Sequence, residues 1–259
     1  MFNKDRFQQL LKTSWVGHTF EYLPEVNSTN TYAKKIDNLL PGTVVLTDYQ
    51  THGKGQNNKS WKIQKNCNLT FSLLFIPKNA TRLPLLTLAC ASAIEDVLRT
   101  SFNLSKVALK WPNDVMVGSL KLVGILTEVV HLGNSVDRVI VGIGLNVNQT
   151  EFPSELLDVA TSLKAISKVE QDREKLLSDI LSRIEFNYQR WVTNSLDLVK
   201  EVNAKLIGYG EWVTLEIDGV VIEEKNKFLG MNEKGELQVL NKDFEVDTFS
   251  YEQIRIHPD

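Results

Sequence analysis

Between Gln50 and Trp61 the chain reads Gln-Thr-His-Gly-Lys-Gly-Gln-Asn-Asn-Lys-Ser-Trp. Gly53 and Gly55 free the backbone for positive φ and for close approach to a ligand. Backbone N–H groups in such a turn can converge on an anion, and Lys54 and Lys59 add full charges. No Asp or Glu interrupts the stretch, and Lys62 and Lys65 follow before any acid. A phosphate-bearing ligand needs such a loop; a solvated basic β-loop is the other reading, because short Gly-rich matches arise by chance. Asn27-Ser28-Thr29-Asn30 is a second polar group. Its side chains can cap a helix, or they can help hold a polar ligand at the helix start. A third lies at 124–146. Gly142, Gly144 and Asn146 fall on one face of a strand, and Gly124, Leu126 and Glu128 fall on one face of the strand before it. Glycines repeated along one strand face weaken it unless something lies close against the backbone. That something is a packed helix or a flat ligand, and the polar Asn146 favours the ligand.

The elements that must position these residues follow from periodicity and breakers. Residues 4–12 suit a short helix with Phe7, Leu10 and Leu11 on one side, and Phe20, Tyr22 and Leu23 a short strand. The helix capped at Ser28 places Tyr32, Ile36 and Leu39 on one face, and Pro41-Gly42 stops it. Apolar strands at 43–47 and 68–76 flank the basic loop, and an Ala-rich helix follows from about Pro84 to Phe102. From Val107 to Val147 the pattern is an antiparallel meander, with turns at Pro112-Asn113-Asp114, Gly118-Ser119 and Gly133-Asn134. A short helix is expected within 153–166, ending near Ser162-Leu163. An amphipathic helix runs from Gln171 to Ser195, with Leu177, Ile180, Ile184, Tyr188 and Trp191 as core. After Gly208 the pattern becomes short strands and hairpin turns over some fifty residues, which predicts a small SH3-like β-barrel. The boundary is placed near Asn203, giving units at 1–203 and 204–259.

Charge and cysteine content narrow the function classes. The net charge is −3, so the basic loop is a local feature, and nothing global points to nucleic acid or an anionic membrane. No window approaches a membrane span, and the first residues open no stretch of signal length. Cys67 and Cys90 read as reduced core thiols of a cytoplasmic protein. No metal-binding cluster is present in the sequence.

Four blocks stand in order: Ser28-Thr29-Asn30; the Gly53-Lys-Gly55 loop closed by Trp61; Lys110-Trp-Pro-Asn-Asp114 running on to Lys121-Leu-Val-Gly-Ile-Leu-Thr-Glu128; and Gly142-Ile-Gly-Leu-Asn146. Together they resemble the biotin protein ligases, the biotin–acetyl-CoA-carboxylase ligases. The resemblance implies an α+β catalytic domain, with a mixed, largely antiparallel sheet packed with helices, like that of class II aminoacyl-tRNA synthetases. It implies adenylation of biotin by Mg-ATP, then transfer of biotin to a lysine of a biotin carboxyl carrier protein, with homodimer formation left open. By the same match Ser28, Thr29, Asn30 and Gln50 hold the biotin head. Gly53, Lys54, Gly55 and Gln56 wrap its chain and carboxylate, with Gly124 beside it. Lys110 acts catalytically between carboxylate and α-phosphate, with Lys54 as a second cation. Lys59, Trp61, Asn113, Lys121 and Asn146 meet the nucleotide, Trp61 closing over the adenine. Mg²⁺ arrives with ATP rather than in a protein site.

The loop departs from the family pattern Gly-Arg-Gly-Arg/Gln-x-Gly-Arg-x-Trp. Lys54 and Lys59 replace arginines and Asn58 replaces the third glycine. Lysine keeps the charge and loses the planar fork that grips phosphate with two bonds. The stretch before Ser28 is too short for the winged-helix domain of some relatives, so promoter binding is not expected. The competing readings are a lipoate or octanoate ligase of the same fold, whose Arg-Arg-x-x-Gly-Gly-Gly motif is absent, and a non-catalytic biotin or nucleotide binder.

Overall fold

A computed structural model describes residues 1–36, 40–56, 59–77, 81–193, 195–250 and 254–258. Leu39 and Asn58 lie outside the described residues. The first sheet has seven strands. They are β1 (Phe20–Leu23), β2 (Val44–Thr47), β3 (Leu69–Phe75), β4 (Val107–Lys110), β5 (Asp114–Val117), β6 (Leu120–Leu132) and β7 (Ser135–Leu145), in the order β1-β2-β3-β7-β6-β5-β4. Only β1 and β2 run parallel; every other pair is antiparallel, including the expected meander from β4 to β7.

Each face of this sheet has its own occupant, and alternation assigns the residues. Val139, Val141, Ile143 and Leu145 of β7, with Leu69, Phe71, Leu73 and Phe75 of β3, belong to the main core. That core is filled by α3 (Leu83–Phe102), which packs against α5 (Arg173–Val192). The other face takes the short helix α2 (Thr29–Lys35), where Ala33 packs with Val45 and Ile140. The register aligns Thr70 with Gly144 and Gly124, and Ser72 with Gly142 and Leu126, in adjacent rows across β3, β7 and β6. By alternation those rows lie on the α2 face.

The amino-terminal helix α1 (Lys4–Leu10) buries Phe7, as expected. Several boundaries differ from expectation. α2 ends at Lys35, with extended backbone at Ile36, so it stops before the Pro41-Gly42 breaker. Residues 153–166 do not form one helix. A 3-10 turn at Ser154–Leu156 is followed by α4 (Leu163–Ser167), and Ser162 caps the start of α4, its Oγ accepting from the Ala165 N–H, instead of marking an end. A helix that was not expected, α6 (Leu196–Lys205), begins at its cap, Ser195.

The carboxy-terminal strands are β8 (Trp212–Ile217), β9 (Val220–Met231), β10 (Leu237–Leu240), β11 (Val246–Phe249) and β12 (Ile254–Pro258). They form an antiparallel sheet of order β11-β10-β9-β8-β12, SH3-like in its succession. It is not the closed barrel expected, because among the described residues β11 and β12 remain unpaired edges. Asn203 of α6 ties the two regions: its Nδ2 donates to the Met231 carbonyl, and its Oδ1 accepts from the Met231 N–H.

Candidate active site

The four blocks converge on one cavity of about 560 Å³ above the α2 face of the sheet, within the range of small-molecule sites. Ser28, Thr29, Asn30 and Gln50 line it. So do Lys54, Gly55, Gln56, Lys59 and Trp61 from the loop, and Lys110, Asn113, Lys121, Gly124 and Asn146 from the meander. Gly53 lines a second pocket, which shares Lys54, Gly55 and Gln56 with the first and adds Glu128. The residues expected at the site thus line one or both of these pockets.

The Thr29 end is a closed hydrogen-bonded wall. Gln50 Oε1 accepts from the Thr29 backbone N–H at 2.8 Å. Asn30 lies over Gly142, where any side chain would collide with its amide. Its Nδ2 donates to the Leu126 carbonyl at 3.2 Å and to Glu128 Oε2 at 2.8 Å. Lys34 pairs with the other oxygen of Glu128 at 2.5 Å. Burial pushes the Glu128 carboxyl up, yet the hydrogen bonds from Lys34 and Asn30, with the charges of Lys34 and Lys54, hold it below the usual carboxylate range.

One occupant of the glycine face is the start of a packed helix, α2, and the other is an aromatic side chain. Asn30 lies on Gly142 and the Trp61 indole on Gly144 and Gly124. A Cβ at position 144 would fall within the indole. The loop is folded back to bring Trp61 there. Its backbone N–H donates to the Gly53 carbonyl at 2.9 Å, Lys54 and Ser60 form an antiparallel bridge, and the Gly55 N–H donates to the Lys59 carbonyl at 2.7 Å.

The loop root is fixed from below. Asp48 Oδ1 meets Arg173 at 2.7 Å, and both side chains are buried. The Asp48 carboxylate also accepts from Tyr22 and from the Phe2 backbone N–H. The same Arg173 donates to the Asn68 carbonyl, on the returning side of the loop. Burial raises the Asp48 carboxyl, but hydrogen bonds from Tyr22 and Arg173 outweigh it and leave its pKa lowered. Tyr22 is pushed up to about 12 by burial and by its bond to Asp48.

The Lys121 end is built on turns. Lys110 and Asp114 face each other where β4 meets β5, across a turn with a cis Trp111–Pro112 bond. Asn113 locks that turn to β6, its Nδ2 donating to the Ile125 carbonyl at 2.7 Å and its own carbonyl accepting from the Ile125 N–H at 3.0 Å. Asp114, which had only a turn role in prospect, pairs with Lys121 at 2.6 Å. The Lys121 ammonium stands 5.6 Å from the Trp61 ring centroid. Phe152, Leu156 and Val159 supply an apolar wall there, and the Lys121 N–H donates to the Val159 carbonyl. Asn146 donates to the Thr161 carbonyl.

The charge balance is one-sided: Lys54, Lys59, Lys62, Lys110, Lys121 and Arg255 line the cavity against the single carboxylate of Asp114 among the described residues. Four buried polar atoms of lining residues, Trp61 Nε1, Thr70 Oγ1, Trp111 Nε1 and Asn146 Oδ1, have no hydrogen-bond partner among the described residues, and Asp114 Oδ1 has only its ion pair with Lys121. Buried groups of this kind carry a free-energy cost unless a ligand or water satisfies them. A cationic cavity with a hydrogen-bonding wall at one end and an indole over bare backbone can hold an anionic ligand with a polar head and a flat portion. Sequence reading missed Thr70 and Ser72, which alternate with core residues in an apolar strand, and Arg255, which β12 brings from the second sheet. Glu128 had its signal, since it shares a face with Gly124.

The Biotin/lipoate A/B protein ligase family model matches residues 22–146. The bifunctional ligase/repressor BirA of Bacillus spizizenii is 35% identical over 73% of this chain, which spans 60% of that relative's length. BirA of Bacillus subtilis is 32% identical over 84% of this chain and 73% of its own. Among solved structures, biotin protein ligase from Aquifex aeolicus in complex with biotin and ATP superposes with a TM-score of 0.80 at 33% identity, covering 92% of this chain and 99% of that one. The ordered blocks, the shared fold and these relatives place the chain in the biotin protein ligase family.

Proposed function

We propose that this protein couples biotin to a lysine of a biotin carboxyl carrier protein at the expense of ATP. The observation that carries this reading is the convergence of all four blocks on one cavity whose cations outnumber its carboxylates. In the first step a biotin carboxylate oxygen bonds to the α-phosphorus of ATP, and the bond to pyrophosphate breaks. In the second, the carrier amine bonds to the biotinyl carbonyl carbon, the bond to AMP breaks, and the amine loses a proton. The first step brings two anions together, and fixed positive charge must offset both their repulsion and the charge that develops at the phosphoryl oxygens. Lys110 takes that role, at a strand end braced by the Asn113 turn, with Lys54 as the second cation. Ser28, Thr29, Asn30 and Gln50 take the biotin head. Trp61, Lys59, Asn113, Lys121 and Asn146 serve the nucleotide, and Mg²⁺ belongs to the ATP co-substrate. The Trp61 loop covers the mixed anhydride, which water would otherwise destroy. Residues 1–203 form the catalytic unit in this reading, and 204–259 a second unit that contributes Arg255.

The test is incubation with Mg-ATP, a carrier domain and either biotin or lipoate, read by intact mass. The expected outcome is one biotinyl group on one carrier lysine. A carrier that gains mass with lipoate or octanoate and not with biotin would overturn the assignment.

A further inference from the structure

We infer that Ser72, backed by Asn30 and Glu128, sets the hydrogen-bond polarity of the Thr29–Gln50 wall, so that Thr29 meets a ligand as an acceptor and Gln50 meets it as a donor. This rests on the reading of that wall as the seat of the biotin head.

The argument is a count of protons. Glu128 is an ion-paired carboxylate and can only accept, and so can the Leu126 carbonyl. The Asn30 amide must therefore turn Nδ2 toward both, which leaves Oδ1 facing Ser72 Oγ at 2.6 Å. A serine hydroxyl has one proton, and this one is spent on Asn30. Ser72 Oγ also lies 2.8 Å from Thr29 Oγ1, so the proton in that contact comes from Thr29. The alternative acceptor for the Thr29 proton is Gln50 Oε1 at 3.3 Å. Either destination lies inside the wall, and the cavity meets Thr29 Oγ1 through its lone pairs. Gln50 Oε1 is already committed to the Thr29 N–H, which leaves its Nε2 to donate.

The wall thus selects a head that carries an N–H beside a C=O. A cyclic urea offers both. A dithiolane offers neither, so the same relay separates biotin from lipoate. Ser72 is fully buried in β3, in the row of Gly142 and Leu126. It is a positioning residue that acts through Thr29 and Asn30.

The experiment measures biotin-dependent pyrophosphate release by the full chain, with biotin and with its two cyclic carbamates, each having one ring N–H replaced by oxygen. A site built to accept a hydrogen bond rejects a ligand that lacks the donor, so wild type should disfavour one carbamate over the other by at least about tenfold in KM. Ser72→Ala leaves the Thr29 proton only the longer contact to Gln50 Oε1 at 3.3 Å, so the hydroxyl can turn its proton toward the cavity. It should raise the KM for biotin by roughly fivefold to tenfold, leave kcat within about twofold, and shrink the carbamate ratio by at least about fivefold. Lys34→Met removes the ion-pair partner but leaves the carboxylate. It should lower the melting temperature and keep the carbamate ratio, which a merely structural role for the network would not allow. If Ser72→Ala does not fold, Ser72→Cys, a weak donor, should give an intermediate ratio. Equal use of both carbamates by wild type, or a ratio unchanged at position 72 while biotin turnover persists, overturns the inference alone. Absence of any biotin turnover by wild type overturns the site reading and the inference with it.

Discussion

Lys110 shows what a single residue contributes. It is exposed at the end of β4, so its removal subtracts little from the core. Lys110→Ala should cut the rate of adenylation on the order of 10²–10³, the usual effect of deleting one aimed electrostatic stabiliser, with the melting temperature nearly unchanged. Pyrophosphate release checks the first claim and thermal unfolding the second. A near-normal rate would take Lys110 out of the reaction. At Lys54 and Lys59 the charge remains while the arginine fork is gone, and the loop holds its shape through backbone bonds from Gly53, Gly55 and Trp61 instead. The family resemblance assigns Trp61 to the nucleotide. Its first contact is with the chain itself, on Gly144 and Gly124.

At the scale of elements, the site hangs on a loop whose two ends are tied by one buried ion pair. The Asp48 carboxyl has a pKa below its ordinary value, so its contribution to stability is complete above the unfolded value, about 3.9. It is lost as pH falls through the lower, folded value. Asp48→Asn strands Arg173 in the interior, which should cost about 3–5 kcal/mol near neutrality. The gap in melting temperature between variant and wild type should narrow as pH falls below about 4. Thermal unfolding from pH 7 to pH 3 checks it, and a gap independent of pH would show that the carboxylate charge is not the source. The elements themselves were largely legible. The meander could be read because glycine turns and β-branched runs are local signals, and the Ser28 cap because capping chemistry is local too. α6 was not legible, because it is a short helix with only three buried apolar residues, Leu198, Val199 and Val202, just past the expected end of the long helix at Ser195. The split at 153–166 was hidden for another reason: serine caps a helix start, and Ser162 was read as an end. That Gly142 and Gly144 share a face of their strand followed from alternation alone; that Gly124 lies beside them comes from the register of β6 against β7. Their occupant did not follow, because nothing local says that Trp61 crosses back over the strands.

At the scale of the whole molecule, the cavity draws on both sheets. Arg255 stands on β12, whose partner is β8 of the second sheet, and it lines the cavity together with Lys54 and Lys110 of the first region. Its cationic side chain suits the phosphate end of a nucleotide. Arg255→Ala should raise the KM for ATP by about tenfold to a hundredfold, the loss of one charge-assisted contact, while the KM for biotin stays nearly constant. Steady-state kinetics with each substrate varied in turn separates the two. Equal changes in both constants would mean that the second sheet supports the site only mechanically.

The rows Thr70–Gly144–Gly124 and Ser72–Gly142–Leu126 lie in the middle of the sheet whose opposite face carries the main core. The floor of the cavity therefore shares the core's opening free energy, and it can come apart only when the domain does. The Trp61 loop is not bound by that constraint, since outside its root it is held by a few turn bonds, one bridge and the seat of the indole on the two glycines. Amide exchange should therefore be slow along these rows and faster in the Trp61 loop, the wall that a ligand would pass on entering over a floor as permanent as the fold.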